Sequence, residues 1–213
     1  WNEDDTLSIL YQIDPLTSIS ANYTIENNLG RISQYRYQNA AAGISKTFQV
    51  LSKDIGTYLN YNHQESKNYQ AHSLDYVDDR LIAGLRFSLI GDLYYYVSKE
   101  INYLDAKETG IITHPNALET GVDWSGQFGQ TPLYGSFRFT YRDEEDTISP
   151  LSFLSGEDYI EGYTELSYKP TDNAEVYASC RGRNVWADNP NVTKRFEMDF
   201  RAGLRYLWDT GFH

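Results

Sequence analysis

Cysteine, methionine and long apolar segments are almost absent from this sequence. It has one cysteine, Cys180, and one methionine in 213 residues. A single cysteine excludes a disulfide within the chain. A membrane-spanning helix needs roughly 20 predominantly apolar residues, and no segment approaches that length. We therefore expect neither a disulfide-stabilised fold nor insertion into a membrane by helices.

Positive charge is also scarce. The sequence has 18 Lys and Arg against 30 Asp and Glu, which gives a formal net charge of −12 at pH 7. A protein that binds nucleic acid needs a cationic surface for the phosphate backbone. We therefore expect no nucleic-acid partner.

Aromatic residues are abundant, and they take part in a regular alternation. The segment 196–208 has apolar side chains at every second position and mostly charged ones between them. A period of two indicates a strand with one apolar face and one polar face. About ten such residues ending in an aromatic pair, here Tyr206 and Trp208, is typical of a tilted strand that crosses a lipid bilayer. The low mean hydropathy of −0.58 does not exclude this, because lipid-facing residues alternate with polar ones in such strands.

The same alternation recurs along the whole chain and predicts an all-β protein with almost no helix. The predicted strands are 6–14, 18–26, 35–50, 55–63, 77–89, 93–104, 118–128, 134–142, 159–168, 174–184 and 196–208. Short links with turn-forming residues alternate with longer polar ones, so one end of the sheet has tight turns and the other has extended loops. This pattern predicts a single domain over 1–213 built as an antiparallel up-and-down sheet.

Each predicted strand has an apolar face that must meet an apolar partner. In the fifth strand, Leu81, Leu85 and Phe87 share one side, while Arg80 and Arg86 share the other. In a soluble sandwich the partner is a second sheet, and in a transmembrane barrel it is lipid. The strict alternation of short and long links favours the barrel.

In its alternating strands and link lengths, the chain resembles the bacterial outer-membrane β-barrel proteins, with a porin-like architecture. The sharpest local match is Arg201, Gly203, Tyr206 and Trp208, which is similar to the C-terminal targeting pattern of that class. The resemblance implies a transmembrane barrel in the outer membrane, surrounded by lipid and lipopolysaccharide. Residues 209–213 are interpreted as a turn and the start of a further strand. Because barrels of this class have even strand numbers, eleven predicted strands imply a 12-stranded barrel with one strand missed, or part of a larger barrel.

The polar parity of the strands predicts a charged lumen. On a register set by the turn at Pro170, we expect Glu161 near Arg181 and Glu165 near Tyr177. The predicted lining residues are Arg80, Arg86, Glu119, Asp123, Arg138, Arg142, Glu161, Glu165, Arg181, Arg183, Glu197, Asp199, Arg201 and Arg205.

The predicted function is passage of a hydrophilic solute through this lumen, either in a pore or in the membrane conduit of a larger export or transfer assembly. Such a mechanism has no chemical step, so we expect no enzyme activity and no cofactor. An alternative is a structural or adhesion barrel, closed by its ion pairs, whose long loops bind partners. The solute is left open.

A hydrolase at the rim of the barrel is the remaining alternative. His63 and His72, with Asp75, Asp78 and Asp79, fall around one long link. His114 is a weaker candidate, and histidine and carboxylate side chains in a polar loop are more often merely solvated. The acidic run 143–146 is interpreted as a solvated loop, because it lacks the ligand spacing of a calcium site.

Lys99 does not fit the simplest barrel. It shares parity with Val97 and Ile101 and is therefore predicted to face lipid near the middle of its strand. A lysine there costs roughly 2 to 4 kcal/mol. Either a protein partner covers this face, or a bulge shifts the register.

Overall fold

Nearly all of the described chain is extended. The computed structural model describes residues 2–30, 34–50, 53–145, 157–171, 173–186 and 193–206. The helical element within them is one 3-10 turn at His72–Leu74. No helix in these ranges is long and apolar enough to cross a membrane.

Twelve strands form the described part of the molecule. They are β1 (Asn2–Asp14), β2 (Thr17–Leu29), β3 (Gln34–Val50), β4 (Lys53–Asn68), β5 (Tyr76–Ile90), β6 (Leu93–Ala106), β7 (Ile111–Thr113), β8 (Ala117–Gln127), β9 (Leu133–Glu144), β10 (Asp158–Thr171), β11 (Ala174–Trp186) and β12 (Arg195–Tyr206). Eleven of them are the strands predicted from the alternation. The three-residue β7 is too short to show a period of two, which explains why the sequence did not reveal it.

All twelve strands belong to one antiparallel sheet. Its order is β1-β2-β3-β4-β5-β6-β8-β9-β10-β11-β12, and β7 pairs with β6 beside this path. The predicted all-β, antiparallel up-and-down fold is confirmed. Within the described residues, β1 and β12 do not pair with each other, so the sheet is open at these two edges. Because eleven strands lie on the path, both edge strands run in the same direction.

The strands are staggered in one consistent direction. A row of register partners that starts at Gln12, two residues from the end of β1, reaches Arg195 at the opposite end of β12. The shift is about one residue per strand, which corresponds to a tilt of roughly 30 to 35°. Strands in closed barrels tilt by a similar angle.

The sheet has two chemically opposite faces. We call the side of Asn22, Arg86 and Arg138 the polar face and the side of Leu85 and Phe139 the apolar face. Large hydrophobic side chains of the apolar face are exposed. Phe200, for example, has 68% of its surface accessible to solvent. The described residues contain no second sheet against which this face packs. The soluble-sandwich alternative is therefore wrong for this part of the chain.

The buried hydrophobic residues lie on the polar face. There are only five of them among the described residues: Tyr76, Leu104, Ala106, Ala117 and Val185. A soluble domain of this size is stabilised by a large apolar interior. Here the apolar surface points outward, as it does in a protein surrounded by lipid.

Glycines on the polar face make room for large side chains of the neighbouring strand. Gly84 is paired with Tyr58, and Gly121 is paired with Tyr96. A Cβ at Gly84 would overlap the Tyr58 ring, and one at Gly121 would overlap both Tyr96 and the carbonyl oxygen of Phe139. These tyrosines therefore lie flat across the adjacent strand.

Two predictions need correction. Glu165 faces Ser179 rather than Tyr177, because β10 continues through Pro170 to Thr171 and the turn therefore comes later than predicted. The run 143–146 does not begin as a loop, because Asp143 and Glu144 complete β9. The end of the targeting-like pattern, including Trp208, lies outside the described residues.

We predict that Gly121→Ala destabilises the protein by roughly 1 to 3 kcal/mol, because the added methyl overpacks a backbone carbonyl and a ring. Gly162→Ala is the matched control, since a Cβ there meets nothing within 4 Å. The measurement is the urea midpoint of unfolding in detergent or lipid. Equal midpoints for the two variants would contradict this packing.

Candidate functional site

The charged residues predicted to line the lumen all lie on the polar face. The pairing of β8 with β9 sets Glu119 opposite Arg142, and that of β11 with β12 sets Arg183 opposite Glu197. The same holds by register for the other members of the set: Arg80, Arg86, Asp123, Arg138, Glu161, Glu165, Arg181, Asp199, Arg201 and Arg205. That they face a lumen stays a prediction.

Arg142 is the centre of the most buried ion-pair cluster on this face. Its Nη2 contacts Oε2 of Glu100 at 3.0 Å and Oε2 of Glu144 at 3.2 Å, and its Nη1 lies 3.7 Å from Oε2 of Glu119. The side chains of Arg142, Glu100 and Glu144 are 15%, 8% and 6% exposed. Three carboxylates thus share one guanidinium.

Arg80 continues the cluster toward β5. It contacts Oδ2 of Asp78 at 3.0 Å and Oε1 of Glu100 at 3.1 Å, so Glu100 lies between the two arginines. The Asp78 side chain is 1% exposed. Removing any of these charges leaves an opposite charge in a site with little water.

Other arginines of this face are held both by a carboxylate and by a tyrosine ring. Arg86 donates to Oδ2 of Asp123 at 2.6 Å, and its guanidinium lies 3.9 Å from the centre of the Tyr94 ring. Arg205 lies 3.2 Å from Oε2 of Glu175 and 4.0 Å from the Tyr177 ring centre. These paired contacts hold the guanidinium groups against the wall of the sheet.

Ion pairs on the polar face continue to the edge of the sheet at β12. Arg181 donates to Oε2 of Glu161 at 2.6 Å, which confirms the predicted proximity of these residues although Arg183 is the direct register partner of Glu161. Arg201 contacts Oδ2 of Asp199 at 2.6 Å, with both side chains in solvent. The strength of the pairs therefore falls toward the exposed edge.

Arg138 differs from the other arginines of the polar face. It is exposed in the middle of β9, and no carboxylate among the described residues lies within ion-pair distance of it. Its register partner Asp123 is instead bound by Arg86.

Charge is distributed unevenly over the polar face. We call the polar face of β5 to β12 the charged wall and that of β1 to β4 the amide wall. The amide wall has Ser, Thr, Asn and Gln at most positions and three carboxylates near its ends, Asp4, Glu26 and Asp54. Over both walls the described strands carry thirteen acidic and ten basic side chains. The acidic set is Asp4, Glu26, Asp54, Asp78, Glu100, Glu119, Asp123, Glu144, Glu161, Glu165, Glu175, Glu197 and Asp199. The basic set is Arg80, Arg86, Arg138, Arg142, Lys169, Arg181, Arg183, Arg195, Arg201 and Arg205.

Several members of this network were missed from the sequence. Glu100 shares parity with Tyr96 and Ser98, so the alternation already placed it on the polar face. Glu144 was assigned to a loop, although it continues the parity of Arg142. Reading the parity of the strand 93–104 in full would have found Glu100, and extending the strand 134–142 by two residues would have found Glu144.

The residues proposed for a rim hydrolase form separate pairs and do not meet in one site. Nδ1 of His63 lies 2.7 Å from Oδ1 of Asp79 on the apolar face, and His72 contacts Asp75 at 3.3 Å in the following link. Asp78 points to the opposite face. Among the described residues, the apolar-face register neighbours of His63 and Asp79 offer no Ser, Thr or Cys nucleophile. His114 is held by the backbone oxygen of Asn102 at 3.1 Å.

The acidic run divides between the two faces. Asp143 lies on the apolar face and Glu144 on the polar face, while Glu145 contacts Lys99 and Asn116. Asp146 lies outside the described residues. In the ranges that are described, no group of three or more His, Cys, Asp or Glu side chains is arranged to hold a metal ion.

Lys99 faces outward without a bulge. The register is continuous on both sides of it, where it pairs with Ala83 and Leu118. Its Nζ lies 3.5 Å from Oε1 of Glu145, at the end of β9. This ion pair gives Lys99 a counter-charge, although its register partner Ala83 is flanked by the apolar residues Leu81 and Leu85. A protein partner on the same face stays a prediction.

Comparisons with known proteins find similar chains among solved structures. No family model matches this chain, and no curated protein matches it. Among solved structures, the NanC porin is similar over 97% of this chain and 94% of its own, with 9% identity and a TM-score of 0.49. The KdgM porin in complex with disordered oligogalacturonate has 14% identity over 96% and 92% of the two chains, with a TM-score of 0.43. OmpT, an outer membrane protein of Vibrio cholerae, has 10% identity over 97% and 95%, with a TM-score of 0.46. Since such distant matches do not transfer a function, we base the proposed function on this chain's own residues.

We predict that Arg142→Met lowers the free energy of unfolding by roughly 3 kcal/mol. The substitution keeps the side-chain volume but leaves Glu100 and Glu144 without their shared cation. The expected loss lies at the lower end of the range for a buried ion pair, because Arg142 retains some contact with solvent. Arg138→Met, on the same strand and face, is the control and is expected to change stability by less than about 0.5 kcal/mol. Equal unfolding midpoints for the two variants would refute the role of this cluster.

Proposed function

We propose that this chain forms most of the wall of a transmembrane β-barrel in a bacterial outer membrane and that small hydrophilic solutes diffuse through its lumen. The observation that carries the proposal is a single sheet with an exposed apolar face on one side and a charged, ion-paired face on the other. A surface of this extent and apolarity leads to aggregation in water. In a barrel it contacts lipid, while the polar face lines an aqueous channel.

The height of the apolar face matches the apolar band of a barrel that spans a bilayer. On β5 the apolar positions run from Leu81 to Leu89, and on β9 they run from Leu133 to Tyr141. Nine residues tilted by about 35° rise roughly 24 Å, close to the apolar band of outer-membrane barrels. Side chains such as His63 and Asp79 lie beyond this band, toward the end with the longer links.

The direction of the two edge strands limits how the barrel can close. Because β1 and β12 run the same way, antiparallel closure requires an odd number of additional strands between them. If another protein supplies those strands, the chain is part of the conduit of a larger export or transfer assembly. A second copy joined edge to edge would instead pair β12 with β1 in parallel.

Transport in this proposal needs no chemical step. The carboxylate and tyrosine contacts hold the arginines against the wall, and the charged groups replace part of the hydration shell of a passing solute. The excess of three acidic side chains on the polar face favours cations weakly over anions.

A closed structural barrel is the second candidate, and one observation favours it. The polar side chains around Arg142 are almost fully buried, whereas those near β1 and β12 are exposed. If this buried cluster extends across the lumen, solutes do not pass and the longer links bind partners.

We predict that the purified protein forms ion-conducting channels in planar lipid bilayers, with a reversal potential that shows a weak preference for cations. Arg138→Gln removes a cation that has no ion-pair partner, so the preference for cations is expected to increase without loss of folding. Lys46→Gln is the control, because Lys46 lies on the apolar face.

Folded protein that inserts but conducts no ions would refute the pore and favour the closed structural barrel. Equal shifts for Arg138→Gln and Lys46→Gln would contradict the assignment of the polar face to the lumen.

A further inference from the structure

We propose that the amide wall binds uncharged polyhydroxylated solutes, such as neutral oligosaccharides, as they pass through the barrel. This inference rests on the proposed function and names its solute class. It follows from hydrogen-bonding groups on β2 to β4 that the described part of the protein does not use.

The first observation is a group of amide side chains without protein partners. Asn60 and Gln64 make no side-chain hydrogen bond within the described residues, and Asn22 only accepts one from Ser8 at 3.3 Å. Asn39 and Asn62 also make none, but their Oδ1 atoms are buried in the wall. An amide offers two donors and an acceptor with two lone pairs. The hydroxyl groups of a sugar match both kinds of site.

The second observation is that these amides lie beside one another. Asn22 and Asn62 are separated on the polar face by Ala41, and Ser20 and Asn60 are separated by Gly43. Two strand spacings correspond to roughly 10 Å. The small residues of β3 therefore form the floor of a shallow depression between polar side chains of β2 and β4.

Asn60 lies against this floor. A Cβ at Gly43 would overlap its Oδ1, so the amide lies directly over the glycine, with the Ser20 hydroxyl close by. Asn60 is nevertheless exposed to solvent.

The charge of the wall argues for an uncharged solute. The charged residues of the amide wall are the three carboxylates Asp4, Glu26 and Asp54, with no Lys or Arg among its described positions. An anionic sugar would meet repulsion here and find no guanidinium on this wall. A neutral sugar makes the same hydrogen bonds without that repulsion.

The test is block of single-channel current by maltotriose, with trigalacturonate as an acidic probe of similar size. Maltotriose is expected to block the wild-type channel, and Asn60→Ala is expected to weaken the apparent affinity about fivefold through the loss of a hydrogen bond. Asn184→Ala is the matched control, because Asn184 is an exposed amide on the apolar face. Gly43→Ala gives a second variant, in which Asn60 is displaced rather than removed.

Unchanged block by maltotriose in Asn60→Ala, or stronger block by trigalacturonate than by maltotriose, would overturn the inference. Channels that conduct but show no block by maltotriose would also overturn it while leaving the pore intact. A folded protein without any conductance would overturn both proposals.

Discussion

Alternation of side chains across one hydrogen-bonded sheet is the constraint on which the rest of this structure depends. Backbone pairing joins every full-length strand to its neighbours without a second layer, so each face must find its own surroundings. The apolar face of residues such as Phe139 and Phe200 needs lipid or protein, and the polar face needs water or ion partners. The usual arrangement of a soluble domain is inverted.

The ion-pair network on the polar face is the second consequence of this arrangement. Glu100 bridges Arg80 and Arg142, so charges from β5, β6 and β9 are joined in one cluster. Such a network restrains the long arginine side chains and satisfies charges that have little access to water. Away from this cluster, the amide wall replaces charge by neutral hydrogen-bonding groups. The two walls therefore give the polar face an asymmetric chemistry.

Much of the fold could be predicted because it depends on the local period-two alternation of apolar and polar side chains. All eleven long strands follow from the alternation, and residues such as Arg86 and Arg138 were assigned to the correct common face. The predictions that were wrong depended on contacts between distant residues or on irregular links between strands. The pairing of Glu165 shifted by two positions next to the turn near Pro170. The partner of Lys99 was Glu145 from another strand end, which the parity of a single strand does not show.

The most direct test of the account uses the single cysteine of the chain. Cys180 lies on the apolar face in the middle of β11, and the adjacent Ser179 lies on the polar face. In protein inserted into lipid vesicles, a charged thiol reagent added in water is expected to label Ser179→Cys in a Cys180→Ser background and to leave the native Cys180 unmodified. Equal labelling of the two positions, or preferential labelling of Cys180, would contradict a lipid-facing apolar side and a water-filled polar side.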